Sequence, residues 1–221
     1  MATDWTAFAA FALAVTAGLV ALTRQSASLL ADEAARTTPL ELLVNTTVSQ
    51  AVAAAVLVAG FWLAGVPWAA ADPGVSTRAV VAGVGAGVAL AAANVGVMRA
   101  LDRVGVSYDA SLQEALTPAT PVGWAFLLVV ALPLVAGFEE FLFRGVLVGA
   151  FAAGFGVSPW LLAVPSSVAF GAAHTAQGAT GVVVASLLGV ALAAVYLATG
   201  SLAAAVVAHY VVNAVEFTAH A

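Results

Sequence analysis

Cysteine and lysine are absent from the sequence, and charged side chains of any kind are scarce. Without cysteine, the chain has no disulfide bond, no cysteine-ligated metal site and no thiol nucleophile. Only 8% of its 221 residues are charged, against about 25% in an ordinary soluble domain. A soluble domain with so little polar surface would not stay in solution. The six basic residues are all arginine and form no basic patch, which argues against a nucleic-acid partner.

Hydrophobic residues make up 63% of the chain and come in long blocks instead of narrow stripes. Amphipathic helices of soluble proteins carry stripes, so the blocks indicate helices that are surrounded by lipid. Helices suit that environment because they satisfy every backbone hydrogen bond internally. The sequence therefore predicts an all-α, polytopic transmembrane helix bundle that crosses the cell membrane several times.

Membrane spans of roughly 20 apolar residues can be placed along the whole chain. We predict them near 4–23, 43–65, 79–98, 120–150, 158–174, 179–198 and 201–218. The fourth block is too long for one perpendicular span, and it predicts a tilted helix, a helix bent near Pro133 and Gly137, or two short helices. The total is therefore seven or eight spans. They form a single transmembrane domain over 1–221, with N-terminal spans in 1–119 and a motif-bearing core in 120–218.

The first apolar block is predicted to be a retained membrane span. It lacks the basic residues that precede the apolar region of a secretory signal. The arginines give a weak indication of orientation, since the first and third connections hold two each and the second holds one. The first connection holds Arg24 and Arg36, the second holds Arg78, and the third holds Arg99 and Arg103. By the positive-inside rule, we expect the first and third connections in the cytoplasm and the N-terminus outside.

Three polar clusters lie in apolar surroundings in the C-terminal part, where a charge at the bilayer centre costs roughly 2.5–3.5 kcal/mol. The first contains Glu139, Glu140 and Arg144. Glu140 and Arg144 share one helix face and are predicted to pair, which removes most of the cost of burying each. Glu139 points about 100° away, so it is the better candidate for a free carboxylate that faces a cavity and acts as a general base. Alternatively, both acids mark a helix end at the membrane interface.

The second and third clusters add imidazole and amide groups on two further helices. His174 is either catalytic, interfacial or a structural hydrogen-bonder, and Phe170, one turn before it, either walls a pocket or packs. His209 and Asn213 share a face of the last helix and either serve a site or hold helices together. A carboxylate, two imidazoles and an amide supply the base and the hydrogen-bond donors that amide hydrolysis requires.

The order of these motifs on successive apolar helices resembles the signature of the CPBP intramembrane endopeptidases. The motifs are Glu139-Glu140-x-x-x-Arg144, Phe170-x-x-x-His174 and His209-x-x-x-Asn213. That family includes the type II CAAX prenyl endopeptidases and the bacteriocin-immunity-associated ABI proteins. The resemblance covers residues 137–213 and implies a protease whose catalytic groups lie on the C-terminal helices.

The resemblance also implies a role for each residue of the motifs. Glu139 and His174 would activate the attacking water. His209 and Asn213 would hold the oxyanion. Glu140 and Arg144 would support the site, and Phe170 would line it. In the family this chemistry is that of a glutamate protease without a required metal. These roles agree with the pairing that helix geometry predicts for the first cluster.

A metal is the alternative to this chemistry. One Glu and two His, here Glu139, His174 and His209, can ligate zinc, which takes three protein ligands and a water in catalytic sites. The amide of Asn213 is a poor zinc ligand but a good oxyanion donor, which favours the metal-free alternative. We therefore predict no metal and no other cofactor.

The sequence thus predicts an intramembrane endopeptidase that cleaves a peptide or protein substrate anchored in the lipid bilayer. A non-catalytic membrane chaperone or a bacteriocin-immunity-type binding protein is the alternative on the same fold. A proton-linked transporter would also bury Glu and His, but the first half of the chain has no counterpart to the motifs. Prenylation of the substrate, the cleavage position, the oligomeric state and a gating role for the loop from Asp102 to Glu114 are not predicted.

Overall fold

The computed structural model describes residues 3–34, 37–106 and 108–219, and these residues form helices and connections without a β-strand. The helices are α1 Trp5–Ala34, α2 Pro39–Leu63, α3 Thr77–Arg103, α4 Ser111–Leu116, α5 Pro121–Phe155, α6 Pro159–Ala172, α7 Gly178–Thr199 and α8 Leu202–Ala219. Short 3-10 turns lie at Trp68–Ala71 and Thr175–Gln177. The all-α prediction is confirmed.

Six of these helices, α1, α2, α3, α5, α7 and α8, are long and apolar enough to cross a membrane. This finding confirms the polytopic bundle, but the described residues form six such helices where seven or eight spans were predicted. The apolar helix α6 has 14 residues, which at 1.5 Å per residue span about 21 Å of a hydrocarbon core about 30 Å thick. The span predicted at 158–174 is therefore too short to cross alone.

Helix α5 excludes one alternative for the block 120–150, two short helices, because it is one continuous helix of 35 residues. No second span forms from this block. Its turns change from α-helical to π-helical over Leu127–Ala131 and again over Phe141–Ala150. The first change comes just before Pro133, which has no N–H to donate. Wider π turns accommodate such a local interruption, and they are frequent at functional sites.

The starts of three spanning helices follow from capping residues in the sequence. Thr38 accepts a hydrogen bond from the Glu41 N–H at 3.3 Å, and the Glu41 carboxylate accepts one from the Thr38 N–H at 2.8 Å. This capping box satisfies backbone donors that the first turn leaves free. Ser76 and Thr120 cap α3 and α5 with their side-chain oxygens in the same way.

Helix α1 is longer than predicted, because it continues to Ala34 and carries Arg24 within the helix. The expected polar connection is correspondingly shorter. Arg36, which also entered the orientation argument, lies outside the described residues. The orientation of the bundle stays a prediction.

Close helix packing places the C-terminal helices around α5. Between α3 and α8, a Cβ atom added at Gly83 would lie 2.6 Å from the Ala204 backbone oxygen, and one at Gly87 would lie 2.8 Å from that of Ala208. Glycine therefore permits this approach of the two backbones. On the other side of α5, the largest hydrophobic cluster includes the buried rings of Phe8, Phe61, Phe143 and Phe170.

Candidate active site

Arg144 is fully buried in the bundle, one helical turn after Glu140. Its Nη1 donates a hydrogen bond of 2.7 Å to Glu140 Oε1, so the predicted pair is confirmed. Its Nη2 donates to the backbone oxygen of Gly189 in α7 at 2.8 Å. The guanidinium carbon lies 4.6 Å from the centre of the Phe170 ring in α6, where a cation is attracted to the ring face. Arg144 thus connects α5 with α6 and α7.

Glu140 has a second partner, His209 of α8. The His209 Nδ1 lies 2.8 Å from Glu140 Oε1, the oxygen that also accepts from Arg144. An ionised carboxylate only accepts, so Nδ1 carries the hydrogen, and Nε2 of the neutral ring has the lone pair. The sequence analysis missed this contact. The sequence held one indication of a second partner for Glu140: a carboxylate oxygen has two lone pairs, and the bond from Arg144 uses only one of them.

Glu139 is also buried, with 8% of its surface exposed, but it takes no part in the pair with Arg144. Its Oε2 lies 3.7 Å from His209 Nε2, which is beyond hydrogen-bond distance. This oxygen has no hydrogen-bond partner among the described residues. Both glutamates lie in the interior of α5, so the alternative in which they mark a helix end is wrong.

The second motif lies where α6 ends. Phe170 is fully buried, and its ring packs edge-on against Phe143 at 5.2 Å and against His209 at 5.6 Å between ring centres. His174 follows just after the helix, and its Nδ1 donates to the Phe170 backbone oxygen at 2.7 Å. Because a carbonyl oxygen only accepts, this bond fixes the tautomer and leaves the lone pair of the neutral ring on Nε2.

A space between the ends of α6 and α7 and the helices α3 and α8, which we call the inner cavity, lies beside these groups. Its volume is about 50 Å³, which is enough for a small number of water molecules. The motif residues that line it are Phe170, His174, His209 and Asn213. These four motif residues therefore border one space, and their roles at a site stay predictions.

One expectation about the cavity is not met. Glu139 was expected to face a cavity, but in the described part of the chain it is not among the residues that line this one. It is buried instead beside His209, whose ring does line the inner cavity, with 3.7 Å between Glu139 Oε2 and His209 Nε2. The rotation of about 100° per residue along a helix correctly predicted that the two glutamates point in different directions. It could not predict which other helix packs next to them.

A comparison with known families bears on the same residues. Residues 121–215 match the family model described as Type II CAAX prenyl endopeptidase Rce1-like. These residues are therefore similar to the Rce1-like family, and we call them the Rce1-like domain. The resemblance to the CAAX-protease-like family is thereby confirmed. No curated protein and no solved structure gives a significant match to the chain.

The Rce1-like domain begins at the first residue of α5 and ends within α8, so it contains all three motifs. The family that this model describes is one of proteases. With six helices long enough to span a bilayer, the chain is a multi-pass membrane protein.

Zinc was the alternative cofactor for this site, with Glu139, His174 and His209 as its ligands. Among the residues that the structure describes, no three His, Asp or Glu side chains are grouped closely enough to hold a metal ion. The Nδ1 atoms of both histidines are engaged, one with Glu140 and one with the Phe170 backbone. Metal-ligating histidines make the same kind of bond through their second nitrogen, so these contacts do not distinguish the two alternatives. The absence of a metal stays a prediction, and no step of the reaction proposed below is routed through a metal.

Proposed function

We propose that the Rce1-like domain hydrolyses a peptide bond of a substrate anchored in the cell membrane, with water activated inside the bundle. The observation that carries the proposal is a buried Glu139 oxygen without a hydrogen-bond partner among the described residues. It lies 3.7 Å from His209, which lines the inner cavity together with His174 and Asn213. A base and hydrogen-bond donors are the two kinds of group that amide hydrolysis requires.

Glu139 and His174 are the proposed activators of the water. Glu139 Oε2 is a buried acceptor that no described side chain satisfies, and a water molecule next to it would supply the missing hydrogen bond. His174 offers a second acceptor, because its Nδ1 hydrogen is held by the Phe170 backbone and its Nε2 carries the lone pair. In the proposed substrate-bound state, one water donates to both acceptors and has its oxygen turned toward the substrate carbonyl.

His209 and Asn213 are the proposed donors to the oxyanion. The amide of Asn213 donates in any protonation state of the site. His209 donates from Nε2 only when the ring carries both hydrogens, because its Nδ1 hydrogen is already given to Glu140. In that state the formal charges of Glu139, Glu140, Arg144 and His209 sum to zero, so the buried group carries no net charge.

The proposed reaction then follows in two steps. The oxygen of water forms a bond to the carbonyl carbon while its proton passes to Glu139, and the carbonyl oxygen becomes the oxyanion held by His209 and Asn213. Collapse of this intermediate breaks the carbon–nitrogen bond, and the proton on Glu139 passes to the leaving amine. Glu140 and Arg144 touch neither water nor substrate in this scheme; they hold His209 in place.

The substitution Glu139→Gln tests the proposal. It keeps the shape of the side chain but removes the base, so kcat for quenched lipidated or unlipidated peptides should fall by about 10²–10⁴-fold. Glu41→Gln is the matched control, because it removes a carboxylate at the start of α2 and glutamine still serves in a capping box. Cleavage by Glu139→Gln within about threefold of wild type would contradict the proposal, since a general base contributes far more.

A chelator arm of the same assay tests the predicted absence of a metal. Purified protein treated with a strong zinc chelator should cleave at an unchanged rate if no metal is required. Loss of cleavage that added zinc restores would make the metal-free prediction wrong. In that case Glu139 would be reassigned from general base to zinc ligand.

A further inference from the structure

A second space continues from the inner cavity toward the C-terminal ends of α3 and α8, and we call it the outer groove. Its volume is about 180 Å³. The side chains that line both spaces are Asn94, Met98, Tyr108 and Glu216. These four residues therefore form the junction between the outer groove and the proposed site of hydrolysis. Passage from one space to the other has to go between them.

Tyr108 lies at this junction and is held from two sides. Its hydroxyl lies 3.5 Å from Glu216 Oε1 on α8. On its other side is Gly181 of α7, where an added Cβ atom would lie 3.4 Å from the Tyr108 ring. The tyrosine thus lies between the start of α7 and α8, at the junction of the two spaces.

The segment that contains the tyrosine makes polar contacts with α8. Besides the Tyr108 hydroxyl, the Gln113 side chain donates to the Glu216 backbone oxygen at 3.1 Å. Burial raises the pKa of Tyr108 above its usual range, and the carboxylate of Glu216 raises it further. The hydroxyl therefore keeps its proton at neutral pH and donates to Glu216. A contact of 3.5 Å is long for such a bond.

We propose that Tyr108 is a specificity-determining residue: its ring closes the passage from the outer groove to the inner cavity and limits which substrate side chains reach the site. The proposal rests on the proposed function in taking the inner cavity as the place of hydrolysis. A peptide in the outer groove would meet the polar side chains of Asn94, Arg99 and Gln113, which suit the unpaired backbone groups of an extended chain. Only side chains that fit past the ring would bring their peptide bond to His209 and Asn213.

The first test does not depend on proteolysis and uses the absence of cysteine from the chain. Val184→Cys places a single thiol at the inner cavity, and Val95→Cys places one in the outer groove. The rate of modification by a charged methanethiosulfonate reagent is measured at each position, with and without Tyr108→Ala. We expect the rate at position 184 to rise at least tenfold and the rate at position 95 to change less than twofold.

Two results of this test would overturn the proposal. One is an unchanged rate at position 184 in the Tyr108→Ala background. The other is an equal rise at both positions, because that indicates general loosening of the bundle. Tyr108→Phe removes only the hydroxyl contact with Glu216, and it should give a smaller rise at position 184 than Tyr108→Ala.

The second test measures selectivity with peptides that differ in one residue beside the scissile bond. Tyr108→Ala should raise kcat/KM for a Trp-containing peptide relative to an Ala-containing one by about tenfold. An unchanged ratio would overturn the specificity role. Failure of the proposed function is distinguishable, because it abolishes the dependence of cleavage on Glu139 and leaves the thiol measurements unaffected.

Discussion

Removal of the Arg144 guanidinium is the perturbation with the clearest structural consequence for stability. Arg144→Met keeps an unbranched apolar stem of similar length but leaves Glu140 with His209 as its one remaining partner among the described residues. Both members of the Glu140–Arg144 pair are fully buried. The substitution therefore leaves a carboxylate inside the bundle without its permanent cation.

The expected loss follows from the cost of unpairing a buried charge. Removal of one partner of a buried ion pair destabilises a protein by about 3–5 kcal/mol. The Gly189 oxygen also loses a donor, but it lies within α7, where its other lone pair serves the helix. We therefore expect a loss of about 4 kcal/mol, which for a chain of this size lowers Tm by about 8–16 °C.

The assay is thermal unfolding of purified protein in one detergent, with wild type, Arg144→Met, Glu140→Gln and the double variant compared as a cycle. Glutamine still accepts the His209 bond, so Glu140→Gln isolates the charge. The double variant should recover at least about 2 kcal/mol relative to the sum of the single variants, because it leaves no unpaired charge. A Tm loss below about 2 °C in Arg144→Met, or strict additivity in the cycle, would refute this account of the pair, since coupled neighbours depart from additivity.

Two further predictions concern single residues. A Cβ added at Gly171 would meet the Ser186 side chain and lie 2.5 Å from the Val182 backbone oxygen, whereas one at Gly137 would meet nothing within 4 Å. Gly171→Ala should therefore cost about 1–3 kcal/mol of stability. Gly137→Ala should be neutral or stabilising by up to about 1 kcal/mol. Thermal unfolding measures both, and equal Tm shifts for the two variants would contradict this prediction. Asn213→Asp replaces an oxyanion donor by an acceptor, so kcat for quenched peptides should fall about 10²–10³-fold, and a change confined to KM would contradict the assigned role.

The features that the sequence predicted are those that local rules govern. Apolar blocks predicted the membrane helices, and the four-residue spacing predicted the pairing of Glu140 with Arg144. The same spacing placed His209 and Asn213 on one face, and both line the inner cavity. Each of these predictions depends only on the periodicity of a helix.

The features that the sequence did not predict depend on contacts between distant residues. His209 meets Glu140 across a separation of 69 residues, and Arg144 meets Gly189 across 45. Neither contact leaves a periodic signal, because each is decided by how the helices pack. The length of α5 was ambiguous for a different reason. A proline within an apolar block fits a bend, a break or a change of hydrogen bonding equally well, and here the turns before Pro133 become π-helical.

One oxygen atom joins the scaffold to the proposed chemistry. Glu140 Oε1 accepts from Arg144, which reaches α6 and α7, and from His209, which lines the inner cavity. Substitutions at Glu140 or Arg144 should therefore lower stability and activity together, because they move His209 as they weaken the bundle. Glu139 and Asn213 lie outside this shared contact, so their substitution should lower activity with little change in Tm. This separation of two readouts distinguishes the residues that position the site from those that act on the substrate.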